Sequence, residues 1–175
     1  MEQLIKQIEQ WAEDRNIING SKPIDQAMKL FSEFGELADN VGKGRDCRDD
    51  IGDVFVVLTI MAKQLNLNIK GIEIVKSESK PIFNLKNMVV DLGMSLNYFS
   101  RSENQLNLKN AVNELQTISA IYGYDLKECV QIAYNDIKDR KGILWNGVFV
   151  KESDLSYNAC VEAYRESLSE KNTEN

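Results

Sequence analysis

The 175-residue chain carries 21 Lys and Arg against 27 Asp and Glu, a net charge of −6, and 43% hydrophobic residues, enough for a core without disulfide staples. It contains no histidine, which excludes Ser-His-Asp and Cys-His catalysis and any histidine-ligated metal. No basic tract is present to neutralise a row of phosphates, so stable nucleic-acid binding is not expected, and no apolar run reaches the roughly 18–20 residues that cross a bilayer.

The N-terminus, MEQLIKQIEQ, is amphipathic and acidic and lacks the basic start and apolar stretch of a signal peptide. Helical periodicity runs from Glu2 to Arg15, with Leu4, Ile5, Ile8, Trp11 and Ala12 as its apolar stripe. Ile17 to Lys22 reads as a loop. Pro23 then sits at a first helical position, where its missing N–H costs nothing. This second helix is expected to run to Val41, with Ile24, Ala27, Phe31, Phe34 and Ala38 as its apolar face, and Gly42-Lys43-Gly44 ends it.

A third helix begins near Asp46–Asp50 and reaches Leu65. Beyond Asp53 it is apolar nearly all round, as a helix buried on most sides must be. Lys70 to Pro81 reads as a polar connector. Two helices follow, Leu85–Ser100 and Leu106–Tyr122. Asp125 opens another, with Glu128 three residues on in a capping-box pattern, running to about Arg140. The segment 145–150 predicts a short hairpin around Asn146-Gly147, and a last helix is expected over Ser156–Leu168. Residues 1–154 therefore read as one helical domain and 155–175 as a C-terminal helix with a polar tail. Cys47, Cys129 and Cys160 are odd in number and lack paired spacing, which predicts neither a disulfide framework nor a zinc site and fits a reducing cytoplasm.

The chemistry-bearing residues are carboxylates. Lys29, Glu33 and Glu36 are spaced four and then three apart, so they line one helix face, here placed opposite the Ile24/Phe31/Phe34 stripe. Asp50 and Asp53 are also three apart, on a face that continues into Val57 and Ile60 and so into the core. An unpaired carboxylate there is costly, and a divalent cation relieves that cost. Mg²⁺ takes hard oxygen ligands and keeps some of its waters. A short connection makes the two helices antiparallel neighbours, which would bring the four acids to one level as a cage for one or two ions. Alone, Glu33 and Glu36 read as a solvated helix face, and Asp46, Asp49 and Asp50 as first-turn acids at a helix N-terminus; Asp53, directly ahead of an apolar run, fits neither reading as well. Farther along, Gln131, Asn135 and Lys138 share one face opposite Leu126, Val130, Ala133 and Ile137. Asn135 and Lys138 could meet phosphate oxygens, though alone they too read as a solvated face.

These residues resemble the MazG-like family of all-α nucleoside triphosphate pyrophosphohydrolases. The family pattern is ExxE, a spacer, then ExxD. Here it reads Glu33-Phe-Gly-Glu36, thirteen residues, then Asp50-Ile-Gly-Asp53, with Asp50 in place of the third Glu and Ser32 where many members carry a further Glu. AYNDIKDRKG (133–142) and NGVFVKESD (146–154) look like the end of short members from Gram-positive bacteria and their phages. The resemblance covers about residues 1–70 and 123–154. The helices between, 70–122, read as an insertion or as a copy of the catalytic helix pair without its acids, with Met94, Asn107 and Asn110 near the corresponding places. Leu58–Ile69 and Leu115–Leu126 share a weak apolar echo, as do Met28–Leu37 and Met88–Leu96, which chance explains as readily.

The resemblance implies an all-α MazG-like bundle extended by that helix pair and a short hairpin, and a homodimeric cytoplasmic protein. It implies Mg²⁺-dependent cleavage of (deoxy)nucleoside triphosphates to monophosphate and pyrophosphate. Glu33, Glu36, Asp50 and Asp53 would hold the metal and carry catalysis. Asn135 and Lys138 would touch phosphate, with Lys29 and Trp11 as further substrate contacts. Two other readings stand beside it: a relative specialised for dUTP or dCTP, and a non-catalytic helical binding module that has kept the fold.

Overall fold

The computed structural model describes residues 1–72 and 84–173. The described residues form helices α1 (Glu2–Asp14), α2 (Ile17–Gly20), α3 (Pro23–Lys43), α4 (Arg48–Gln64), α5 (Leu85–Ser102), α6 (Gln105–Ile121), α7 (Leu126–Lys138) and α8 (Tyr157–Thr173), with strands β1 (Gly142–Trp145) and β2 (Val148–Lys151) before α8. The chain is thus mainly helical with a small antiparallel hairpin. Among the described residues no helix is long and apolar enough to cross a membrane.

The axis of the fold is α4. Every residue from Val54 to Ala62 is buried, because α1, α3, α6 and α7 all pack against it and its sequence presents apolar side chains in every direction. Helices α3 and α4 run antiparallel. Asn40 lies beside Asp50, Asp53 feels the charge of Glu33, and Ser21, just before α3, bonds to Gln64 at the end of α4. Helices α5 and α6 form a second hairpin, with α5 against α3 and α6 against α4. Gly93 of α5 lies where a Cβ would sit 2.8 Å from Phe34 Cζ.

The tightest approach is between α4 and α7. A Cβ on Gly52 would lie 2.2 Å from the Cys129 carbonyl oxygen and 2.7 Å from Ala133 Cβ. The two backbones meet there because Gly52 has no side chain and Ala133 a minimal one. Asp125 starts α7 by accepting from the N–H groups of Lys127 (2.7 Å) and Glu128 (3.3 Å), satisfying donors that a helix start leaves free. The Glu128 side chain makes no return bond to a described residue.

Four sequence expectations are corrected by the structure. Ile17–Gly20 is a single helical turn, not a loop: Asn16 adopts a left-handed conformation (φ 57°) that restarts the chain. The buried face of α3 holds Gln26, Ala27, Leu30, Glu33, Leu37 and Val41, so Glu33 is not opposite the apolar stripe, and Ile24 is exposed. The cause is that α3 packs against both α4 and α5 and buries more than one stripe. The hairpin begins at Gly142 and is longer than the 145–150 segment; Asn146 and Gly147 form its turn, both with positive φ (49° and 79°), as the twist of a two-residue hairpin loop requires. The last helix continues past Leu168 to Thr173. The expected connector Lys70–Pro81 lies largely outside the described residues.

Glycines on these helices test the packing. Gly52→Ala should lower stability by about 3 kcal/mol, at the upper end of overpacking costs. Gly35→Ala, with nothing within 4 Å of its added methyl, should raise it by about 0.5–1 kcal/mol through helix propensity. Urea denaturation of both variants checks this; equal effects would deny the close α4–α7 contact.

Candidate active site

A cavity of about 430 Å³ opens between α1, α3, α4, the end of α7 and the hairpin. Its walls are apolar on the α4 side, with Val56, Val57 and Ile60, and are closed by Trp11, Leu144 and Phe149. Lys29, Glu33, Asp53 and Arg140 supply its charge.

Several bonds fix these walls. The Trp11 indole Nε1–H donates to the Ile137 carbonyl at 2.8 Å. Arg15 stacks on the Trp11 ring, 4.9 Å from its centroid, and donates through Nε to the Arg140 carbonyl at 2.7 Å. Trp11 and Arg15 together take up carbonyls that the end of α7 leaves free, which delivers Arg140 to the cavity. The hairpin is held from the other side: Asn16 Nδ2 donates to the Leu144 carbonyl at 2.9 Å, and the Leu144 N–H to the Arg15 carbonyl at 2.8 Å.

The carboxylates are unequal. Glu33 is buried (6% exposed) and ion-paired with Lys29 one turn earlier. Asp50 is buried and accepts from Asn40 Nδ2 at 2.8 Å. Burial raises the Asp50 carboxyl above its usual range, and the Asn40 bond partly opposes this. Asp53 makes no hydrogen bond or ion pair with a described residue. Burial, then the like charges of Glu33 and Asp49, pushes its carboxyl up to about 7, against the weaker pull of Lys29 and Arg140. Asp49 is raised too, by burial and then by Asp136 across on α7.

Of the residues expected from sequence, Trp11, Lys29, Glu33 and Asp53 line the cavity. Asp50 lies behind it, one turn earlier on α4. Glu36 is exposed on α3, and Asn135 and Lys138 are exposed on α7; none of the three lines the cavity. Asn135 Oδ1 accepts from Gln131 Nε2 at 3.2 Å. Arg140, Gln26, Ser21 and Phe149 line it and were not foreseen as site residues. Arg140 lies two residues beyond the end of α7 at Lys138, whereas the expected helix ran to about Arg140, so helical spacing places it wrongly. Gln26, a polar residue one position from Ala27 on a packed helix, was the legible sign.

Among the described residues no three acidic or cysteine side chains form a ready-made metal cage. The donor chemistry nevertheless fits a hard divalent cation: all four acids offer oxygen, and Asp53 is a half-buried carboxylate among like charges, with no hydrogen bond or ion pair to a described residue, a condition that a cation relieves. Cys47 and Cys129 are not suited to such a site. Burial pushes their thiols up to about 11 and about 12, so both stay protonated at neutral pH.

Comparison with known proteins gives one partial likeness. The chain is 51% identical over 70 residues to an uncharacterized 18.2 kDa protein from the rep-hol intergenic region of Haemophilus phage HP1. The match spans 39% of this chain and 43% of the phage protein, so the chain covers less than half of that relative's length. No protein-family model matches the chain, and no solved structure does.

The raised Asp53 carboxyl makes stability depend on pH. Its folded value, about 7, lies above the ordinary 3.8, so its contribution is most favourable below about pH 4 and is lost as pH rises through 7. Asp53→Asn stays neutral throughout. In EDTA the variant should therefore melt higher than the parent at about pH 8, with the advantage shrinking towards pH 4. A pH-independent difference in melting temperature would show that Asp53 is not held in this state.

Proposed function

We propose that the chain is a Mg²⁺-dependent pyrophosphohydrolase of nucleoside triphosphates, related to the MazG-like enzymes. The observation that carries this reading is Asp53: a half-buried carboxylate with no hydrogen bond or ion pair to a described residue, beside the buried Glu33, at the charged part of a nucleotide-sized cavity that also holds two cations, Lys29 and Arg140. The order of ExxE, DxxD and the 133–154 segment supports it from the sequence side.

In this reading Glu33, Asp50 and Asp53, with Glu36 one turn along α3, would hold Mg²⁺. When bound, the ion would supply charge neutralisation at the phosphates. Arg140 and Lys29 bind phosphate oxygens on the cavity wall, which orients the chain of phosphates. Water adds to the α-phosphorus, the bond to the bridging oxygen of the β-phosphate breaks, and pyrophosphate leaves. The water proton passes to one of the two cavity carboxylates, Glu33 or Asp53. The apolar wall excludes other water and strengthens each charged contact.

A second reading, a binding module without catalysis, has its own support. Lys29 already neutralises Glu33, and among the described residues no three acids stand ready as a cage.

Pyrophosphate release from a panel of NTPs and dNTPs, in Mg²⁺ and in EDTA, separates the two. Release should need Mg²⁺ and fall to the EDTA level in Asp53→Asn and Glu36→Gln. Activity surviving in Asp53→Asn would remove it from the site, and folded protein inert towards every triphosphate would favour the binding module. Among the cations, Arg140→Ala should raise KM more than Lys138→Ala, because only Arg140 lines the cavity. The reverse order in steady-state kinetics would place the phosphates outside it.

A further inference from the structure

The antiparallel register of α3 and α4 gives the cavity two ends. Glu33 and Asp53 share one level. Seven residues away along each helix, about 10 Å at 1.5 Å per residue, stand Gln26 on α3 and Ile60 on α4, and both line the same cavity. One end carries Lys29, Glu33, Asp53 and Arg140; the far end is more apolar, with Ser21, Asp25 and Gln26 as its polar side chains, of which Asp25 accepts from the Lys22 N–H. Gln26 is nine-tenths buried.

Its amide is oriented by a saturated hydroxyl. Ser21 Oγ donates its single proton to the Ile17 carbonyl at 2.7 Å. It accepts from Gln64 Nε2 at 3.0 Å and from Gln26 Nε2 at 3.0 Å. A hydroxyl has one donor and two acceptor sites, so Ser21 is full. With its proton committed elsewhere, Ser21 can only accept from Gln26, which fixes Nε2 towards it. Gln26 Oε1 receives no hydrogen bond from a described residue, and one amide N–H remains uncommitted. At the wall of the cavity, this amide presents an adjacent acceptor and donor to whatever enters.

We propose that this end is a nucleobase subsite and that Gln26 reads the base. The complementary chemistry is a planar heterocycle with a donor and an acceptor side by side on its edge, packed against Val57, Ile60 and the Trp11 ring. The 10 Å between the two ends is the reach from an α-phosphate to the far edge of a base. This rests on the cavity being the nucleotide site of the proposed function, and it adds that Gln26 determines base preference while Ser21 and Gln64 position it.

Binding of nucleoside monophosphates, followed by Trp11 fluorescence in a Trp145→Phe background without metal, tests this separately from hydrolysis. At least one of UMP, CMP, AMP and GMP should bind about tenfold or more tightly than ribose 5-phosphate. Gln26→Leu should erase that advantage and leave ribose 5-phosphate affinity unchanged. If Gln26→Leu does not fold, Ser21→Ala, which frees the amide to rotate, should weaken base selection in the same direction. Equal affinity for ribose 5-phosphate and every monophosphate overturns the proposal, as does no binding of any of them, or a base advantage that survives both substitutions. Base-selective binding without pyrophosphate release would sink the hydrolase reading alone, and base-blind hydrolysis would sink this one alone.

Discussion

The contact of α7 with α4 at Gly52 sets the geometry of the cavity. Only a residue without Cβ lets the Cys129 carbonyl come this close, and once α7 is seated its C-terminal end falls within reach of Trp11 and Arg15. Those two side chains take the Ile137 and Arg140 carbonyls, so the chain leaves α7 in a fixed direction with Arg140 at the cavity. The hairpin follows immediately and is caught by Asn16 and the Arg15 carbonyl through Leu144. One missing methyl thus positions a cation on one wall and the aromatic Phe149 on another.

The same packing brings acids close together where water is scarce. Asp49 and Asp50 lie in the first turn of α4, where the helix dipole favours negative charge, and Asp50 also has Asn40. Asp53 lies a turn farther along, beyond the dipole's useful range and without a hydrogen bond to a described residue, and its carboxyl shows the cost. A sequence selected only for stability would place an apolar residue there. Local rules are broken at Asp50 and Asp53 in an otherwise consistent helix, which is where function is to be sought.

The sequence made much of the fold legible. The all-round apolar run after Asp53 marked α4 as the central helix, Pro23 marked the start of α3, and Asn146-Gly147 marked the hairpin turn. Each is a local rule acting without competition. The face of α3 was not legible, because a helix packed on two sides buries two overlapping stripes and the simple 3.6-residue pattern selects only one. Glu33 was read as solvent-facing for that reason, though Lys29 four residues earlier carried the means of burying it. Arg140 was not legible because the expected helix ran to about Arg140, while α7 stops at Lys138 and leaves it in the turn into the hairpin. Asn135 and Lys138 share a face by spacing, but that face is turned to solvent.

The polar corner between α2 and α3 carries the same lesson about position. Gln64 Nε2 has two protons and four oxygens within 3.4 Å, of which Ser21 O and Ser21 Oγ, both at 3.0 Å, are nearest. Its Oε1 is buried without a partner. Turning the amide over would set that oxygen against three carbonyls, so one unpaired acceptor is the lesser cost. In exchange Gln64 ties the end of α4 to the single turn of α2 and fills one acceptor site of Ser21, leaving the other for Gln26. An apolar residue at 64 would remove the unpaired oxygen and loosen Ser21 at once. The corner therefore holds its strained polar set because the orientation of one amide, at the dry end of the cavity, depends on it.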